Sequence, residues 1–373
     1  MGQVAKDSVE IGLVLQGGGA LGAYEAGAVT ALLELMDQIE TSGHTVRLTA
    51  VTGVSIGAIN AACVVGARDR ADSRARLSSL WSALSLELPT YWPDDVGRNL
   101  ALFGVPGFYT PRSDVWNILG WTSVYDTTSM LGTLRQHVDF KALNSSSTAF
   151  VITATDVDSG ELVRFRNHAH KGEPKTRIEP EHVMASGSLP PGFPATTIDR
   201  KHYWDGGIID NTPLGDAIDA FSVSDNVDRI LIVMNLFRKS RKAPTNMNEV
   251  NDRMNELRFG NRLRQDSENA QTINELLQTI DALAAAVPEG MRDEQLKDRI
   301  ERARRFKILD AITNIDLADS PAEGGLTSGS ADSNAFRDFS AAGIAQRRET
   351  GYRLAFGKLN GLFKMRGLLR VAA

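Results

Sequence analysis

The run Leu13-Val14-Leu15-Gln16-Gly17-Gly18-Gly19-Ala20-Leu21-Gly22 decides how this chain begins to fold. Residues 9–16 are apolar, rich in β-branched side chains and halted by three glycines, which predicts a short buried strand. Residues 20–39 then take up helical spacing through Tyr24, Ala28, Ala31, Leu32 and Leu35. A second strand is expected over 45–52 and an Ala-rich buried helix over 56–66. Between them stands Gly53-Val54-Ser55-Ile56-Gly57. The order strand, turn, helix, strand, turn, helix argues for an α/β fold with a mostly parallel sheet flanked by helices. Ligands of such sheets bind beyond the carboxyl ends of the strands, where both glycine turns fall.

Working outward, residues 81–125 concentrate aromatic side chains among prolines and glycines: Trp81, Tyr91, Trp92, Phe103, Phe108, Tyr109, Trp116, Trp121 and Tyr125. They read either as an irregular packed segment or as an apolar cap for a greasy substrate. Strands are expected over 149–154 and 162–166, a helix over 178–187, a stiff Pro-rich connection over 189–194 and a central strand over 229–236. Charged helical periodicity occupies 246–305, broken at Pro288-Glu289-Gly290, and a Gly/Ser/Asp/Ala-rich link at 318–334 precedes a final helix near Phe339. The expected organisation is a core over 1–240, a helical extension over 241–310, and a strand, linker and helical tail over 311–373.

Composition excludes several classes. A formal net charge of -5 gives no reason to expect nucleic acid as a partner. The single cysteine, Cys63, rules out an intrachain disulfide and lies in an apolar run, where it reads as a small core residue. The first residues lack the apolar stretch of a signal peptide, so a cytoplasmic protein is expected. Residues 347–373 carry seven basic side chains against one acid, interleaved with Leu354, Phe356, Leu359, Leu362, Phe363, Leu368 and Leu369. This tail reads first as a docked C-terminal helix and second as a peripheral contact with an anionic membrane.

The glycine loop admits three functional readings. Gly17, Gly19 and Gly22 satisfy the dinucleotide fingerprint, but that fingerprint wants an acid after the next strand, and residues 41–68 contain no Asp or Glu. A phosphate-binding P-loop fails because Ala23-Tyr24 stands where Lys-Ser/Thr is required. An oxyanion hole remains, with backbone N–H groups and the start of a helix facing developing negative charge. The plain alternative is a tight turn with no ligand.

Gly53-Val54-Ser55-Ile56-Gly57 has the form of a nucleophile elbow, in which glycines free the space around a strained serine. A late histidine is missing: of His44, His137, His168, His170, His182 and His202, none follows residue 202. The alternative base is a carboxylate, and Asp205 in Tyr203-Trp204-Asp205-Gly206-Gly207 is the candidate. An aspartate of ordinary pKa, near ~3.9, is a poor base at neutral pH, so Asp205 would need an apolar pocket.

Together these residues resemble the patatin-like phospholipases. The match comprises the loop 17–22, the elbow 53–57, Asp205-Gly206-Gly207, Gly53-Val-Ser-Ile-Gly-Ala-Ile-Asn60, Ala185-Ser-Gly-Ser-Leu-Pro-Pro-Gly-Phe-Pro194 and Asn211-Thr-Pro-Leu214. In the last stretch Thr212 is expected to cap a helix with Pro213 in its first turn. The resemblance covers residues 9–237 and implies a patatin-like three-layer sandwich with a helical C-terminal region. It implies Ser55 as nucleophile, Asp205 as base, Gly17, Gly18, Gly19 and Gly22 as oxyanion loop, Gly53 and Gly57 as elbow glycines, and neither cofactor nor metal. The implied activity is hydrolysis of lipid esters, phospholipid or lysophospholipid. Two departures stand out: Leu21 where the motif often has Arg or Lys, and Ser188 where Ala is more usual. Other classes in contention are an esterase or depolymerase for another apolar ester such as polyhydroxyalkanoate, a lipid-binding protein with little turnover, and, more distantly, a nicotinamide oxidoreductase.

Overall fold

A run buried on both faces makes an interior strand, and three such runs build the centre of this fold. The computed structural model describes residues 6, 8–87, 100–224, 226–237, 243–304, 306–317 and 336–370. Its strands are β1 (Ser8–Leu15), β2 (Thr45–Gly53), β3 (Thr110–Pro111), β4 (Tyr125–Asp126), β5 (Ala149–Asp156), β6 (Leu162–Arg166), β7 (Thr196–Ile198), β8 (Lys201–Asp205), β9 (Val227–Asn235) and β10 (Ala311–Asp316). The main sheet has the order β10-β9-β1-β2-β5-β8-β7, with β6 also paired to β5. From β10 to β5 the neighbours are parallel, whereas β6, β7 and β8 join antiparallel. It is a mixed, mostly parallel sheet flanked by helices, as expected.

Register aligns the functional turns. Leu15, the last residue of β1, pairs with Gly53, the last residue of β2, and with Met234 of β9. The chain therefore leaves both strands at the same level, and residues 16–22 and 54–57 emerge side by side.

After β1 the chain enters α1 (Gly22–Thr41), and after β2 it enters α2 (Ile56–Val65) and α3 (Arg70–Ala83). These three helices and the long C-terminal helix Ala341–Met365 share the larger apolar core with the sheet. On the other face Val14, Ala50, Leu231 and Val233 pack with Leu214, Ala217 and Phe221 of the short helix Leu214–Asp219 and its exit. Thr212 does not cap that helix: Pro213 occupies the cap position, and the Thr212 hydroxyl is drawn into the core to accept from Gln16 Nε2 at 2.7 Å. Helices Met247–Ala286 and Glu294–Arg304 precede β10, which lies on the outer side of β9, so the apolar run at 229–236 forms an interior strand.

The basic tail is a core helix. Its backbone touches that of α1: a methyl group on Gly27 would lie 1.9 Å from the Arg348 carbonyl oxygen, and one on Gly351 would lie 2.0 Å from that of Tyr24. Leu359, Phe363, Leu368 and Leu369 are buried, and none of Leu354, Phe356 and Leu362 is exposed. Arg347 is buried too, held by the Asp338 carboxylate at 3.0 Å and by the Asp338 carbonyl at 2.7 Å. No helix among the described residues is long and apolar enough to cross a membrane.

The aromatic segment divides in two. Trp81 is buried and donates its indole N–H to Asn60 Oδ1 at 2.9 Å, while Phe108, Tyr109 and Tyr125 cluster with Phe193. Phe103 and Trp116 point into solvent. Tyr91, Trp92 and the link at 318–334 lie outside the described residues.

Candidate active site

At the end of β2 the chain makes a tight turn. Val54 N–H donates to the Leu15 carbonyl at 3.2 Å, and Ser55 is held at φ 54°, ψ −124°, a left-handed conformation that costs an ordinary residue on the order of 1–3 kcal/mol. The turn leaves no room beside it. A methyl on Gly53 would lie 2.5 Å from the Gly57 carbonyl oxygen, and one on Gly57 would lie 2.5 Å from that of Leu15. Two structures anchor the strained residue. Its carbonyl accepts from Ala58 and Ile59 at the start of α2, and its N–H donates to Ser186 Oγ at 3.0 Å.

Asp205 closes the site from the antiparallel side of the sheet. It ends β8 opposite Ala154 and is only 2% exposed. Its N–H donates to the Ser188 carbonyl at 3.0 Å, and its own carbonyl accepts from Thr155 Oγ1 at 3.0 Å. Its carboxylate accepts from Gly207 N–H at 2.8 Å and lies near enough to the Ser55 hydroxyl to be stabilised by it. Burial dominates its electrostatics and pushes the pKa up to about 7, against the smaller opposing pull of the Ser55 hydroxyl and the Gly207 N–H. The Ser188 hydroxyl packs away from the site, donating to the Met184 carbonyl and pairing with Thr196.

The glycine loop lies directly against the serine: a methyl on Gly17 would come 2.9 Å from Ser55 Cβ. Its four glycines are not equivalent. Gly17 N–H is taken by Asn211 Oδ1 at 3.0 Å, and Gly22 N–H turns back to the carbonyls of Gly19 and Ala20. Gly18 and Gly19 are different, because among the described residues neither N–H meets an acceptor. Leu21, where a basic residue is common in the motif, is buried in the core and brings no charge to the loop.

A polar network beneath the loop was not foreseen from sequence. Glu25, buried in the first turn of α1, accepts from Gln16 N–H at 2.7 Å and from Asn60 Nδ2 at 3.1 Å; burial raises its pKa well above the ordinary value. Asn60 also donates to the Gly22 carbonyl at 2.9 Å. Gln16 reaches across to donate to Thr212 and to accept from Leu236 N–H at 3.0 Å. Only the placement of Gln16, Glu25 and Asn60 around the two glycine turns could have signalled this.

The remaining sequence candidates take other roles. Cys63 is buried, and desolvation pushes its thiol up to about 12, which disfavours the thiolate a nucleophile needs. Asp156 closes a turn by accepting from Asp158 and Ser159. His182 accepts from Glu179 N–H through Nδ1 at the start of its own helix. A cavity of about 550 Å³, lined by Glu10, Arg47, Thr148 and Ser222, lies at the opposite end of the sheet from Ser55. Among the described residues no group of three His, Cys, Asp or Glu side chains could hold a metal ion.

A strained serine in a Gly-x-Ser-x-Gly turn, a buried aspartate near it and a glycine loop against it coincide with the sequence signature of one family. The family model for patatin-like phospholipase matches residues 13–218. The chain belongs to that family. No curated protein matches it. Among solved structures it is similar to VipD from Legionella pneumophila, at 14% identity and a TM-score of 0.39, covering 96% of this chain and 67% of that one. It is also similar to the heterodimeric ExoU-SpcU complex from the type III secretion system of Pseudomonas aeruginosa, at 14% identity and a TM-score of 0.30, covering 95% and 75%. The patatin-like match spans all the strands from β2 to β8 and so includes both Ser55 and Asp205.

Proposed function

We propose that this patatin-like protein is a serine acyl hydrolase that cleaves carboxylic esters of lipids, of phospholipid or lysophospholipid type, with Ser55 and Asp205 as its dyad. The observation that carries the reading is the Asp205 carboxylate, buried beside the Ser55 hydroxyl, where desolvation pushes its pKa up to about 7. A general base is most effective when its pKa lies near the working pH, and burial brings this aspartate there.

In the first half-reaction the Ser55 Oγ–H bond breaks, Asp205 takes the proton, and Oγ forms a bond to the ester carbonyl carbon. The carbonyl oxygen becomes an oxyanion, received by the N–H groups of Gly18 and Gly19 at the positive end of α1. Collapse expels the alcohol, which takes the proton from Asp205. Water then attacks acyl-Ser55 and gives a proton to Asp205; as the acyl–Oγ bond breaks and the carboxylic acid leaves, Asp205 returns that proton to Ser55 Oγ. Ser186 and the Asn211 clamp on Gly17 hold the reacting parts in register. With Leu21 buried, recognition of a phospholipid headgroup must come from elsewhere on the surface.

The test is labelling with a fluorophosphonate probe and hydrolysis of a medium-chain p-nitrophenyl ester by wild type, Ser55→Ala and Asp205→Asn. Both substitutions should lower turnover by roughly 10³-fold or more, and EDTA should have no effect. Undiminished hydrolysis by Ser55→Ala would sink the mechanism.

A further inference from the structure

Seven large apolar side chains are exposed on one stretch of the aromatic segment: Leu102, Phe103, Val115, Trp116, Ile118, Leu119 and Val124. Leu119 is 100% exposed and Trp116 83%. No residue of the 3-10 stretch Val115–Gly120 is buried, so it adds nothing to the core. A cluster of this size on a protein surface marks an interaction site.

The stretch is nonetheless braced from within. Arg112 forms a salt bridge with Asp114 at 2.5 Å and lies over the Trp121 ring at 5.5 Å. Trp121 Nε1 donates to the Asp114 carbonyl at 3.2 Å, and the Tyr125 hydroxyl donates to the Leu102 carbonyl at 3.0 Å. Polar groups are thus satisfied internally while the apolar side chains are held outward. Arg112 and Asp114 are the only charged residues of 102–124, and they neutralise one another.

The patch is also continuous with the site. Val124 N–H donates to the Pro191 carbonyl at 3.1 Å and Tyr125 N–H to that of Gly192 at 2.9 Å. That connection begins at Gly187, where a methyl would lie 3.9 Å from Ser55 Oγ.

The geometry points to this face as the one that docks on a lipid surface, with Trp116 and Leu119 entering the bilayer interface beside the catalytic turn. The inference rests on the lipid-ester reading above. A tryptophan among aliphatics suits the headgroup boundary, and a patch without net charge suits zwitterionic lipid as well as anionic lipid. Continuity with the Ser55 turn favours lipid over a second copy of the chain as the occupant. The basic tail, whose leucines and phenylalanines are buried or half-buried, is not needed for docking.

The experiment uses full-length Ser55→Ala protein, which spares the lipid, sedimented with phosphatidylcholine vesicles. It should partition onto them at low and high salt alike. Adding Trp116→Asp and Leu119→Asp should weaken partition by roughly 10–100-fold, while Arg353→Glu with Arg370→Glu should not. In protein with Ser55 intact, the two aspartates should lower hydrolysis of vesicle phospholipid and spare that of a soluble short-chain ester. If the intact protein hydrolyses no ester, the lipid-ester reading fails, and partition of the Ser55→Ala protein still decides the docking. Partition unchanged by the aspartates overturns the proposal. So does absence of binding, or binding only to anionic vesicles that salt or the tail variant abolishes. A dimer dissolved by the aspartates, without vesicle binding, assigns the face to a second copy instead.

Discussion

Asn211 grips the backbone of Gly17 with both ends of its amide: Oδ1 accepts the Gly17 N–H at 3.0 Å and Nδ2 donates to the Gly17 carbonyl at 3.1 Å. The two residues are 194 positions apart in sequence, yet this pair fixes the first glycine of the loop against Ser55. It also separates a glycine that is held from the two whose N–H groups meet no acceptor among the described residues.

Releasing that grip should damage catalysis more than folding. Asn211→Ala is expected to lower kcat by about 10–100-fold, less than or comparable to the 10²–10³ lost with an oxyanion donor itself. Steady-state kinetics on a soluble ester, beside a thermal melt, would check it. A loss confined to KM would contradict the positioning role.

The acid limb of the rate profile should belong to Asp205. Below a pKa of about 7 the carboxyl is protonated and cannot take the Ser55 proton. On this account kcat/KM falls about tenfold per pH unit below neutrality and levels off above it. A profile that is flat from pH 5 to 8 by direct assay would remove Asp205 as the base.

Stability should carry the opposite signature. The folded state holds the Asp205 proton up to about pH 7, whereas the unfolded chain releases it near ~3.9. Stability from this group is therefore complete below about pH 4, declines as pH rises and is lost above about pH 7. Asp205→Asn, which never ionises, should match wild type near pH 4 and exceed it by about 2–4 kcal/mol near pH 8. Urea unfolding at the two pH values measures the difference; a wild type more stable than the variant at pH 8 would refute the claim.

The crossing of Gly27 and Gly351 should tolerate no side chain. Gly351→Ala would drive a methyl into the Tyr24 carbonyl, at 2.0 Å, and push the C-terminal helix off α1. A loss of about 3 kcal/mol or more is expected, visible as a lower Tm. An unchanged Tm would mean that the helices part without cost.

Much of the candidate site was legible because its glycines answer to local sterics. Gly53 and Gly57 flank a serine whose backbone is strained, and that need shows in five consecutive residues. The buried runs at β1, β2 and β9 were equally plain, since a strand covered on both faces must be apolar throughout. The network of Gln16, Glu25 and Asn60 was not legible, because each residue alone is an ordinary polar side chain. The place of Thr212 was misjudged for the same reason: capping is a local preference, and a distant glutamine outbid it.

The basic tail draws the line most clearly. Its spacing of charges and leucines specifies an amphipathic helix and leaves open what that helix faces; only the close approach of Gly27 and Gly351 decides for α1. In the same way, the chain alone carried the strands, the strained Ser55 turn and the family signature, all of which arise from short-range sterics and hydrophobic periodicity. Folding alone determined that Asp205 meets Ser55 across 150 residues in a pocket dry enough to bring its pKa to about 7, and that the Gly18 and Gly19 N–H groups meet no acceptor among the described residues. Desolvation and hydrogen-bond competition depend on which groups are brought together, and no local pattern records that.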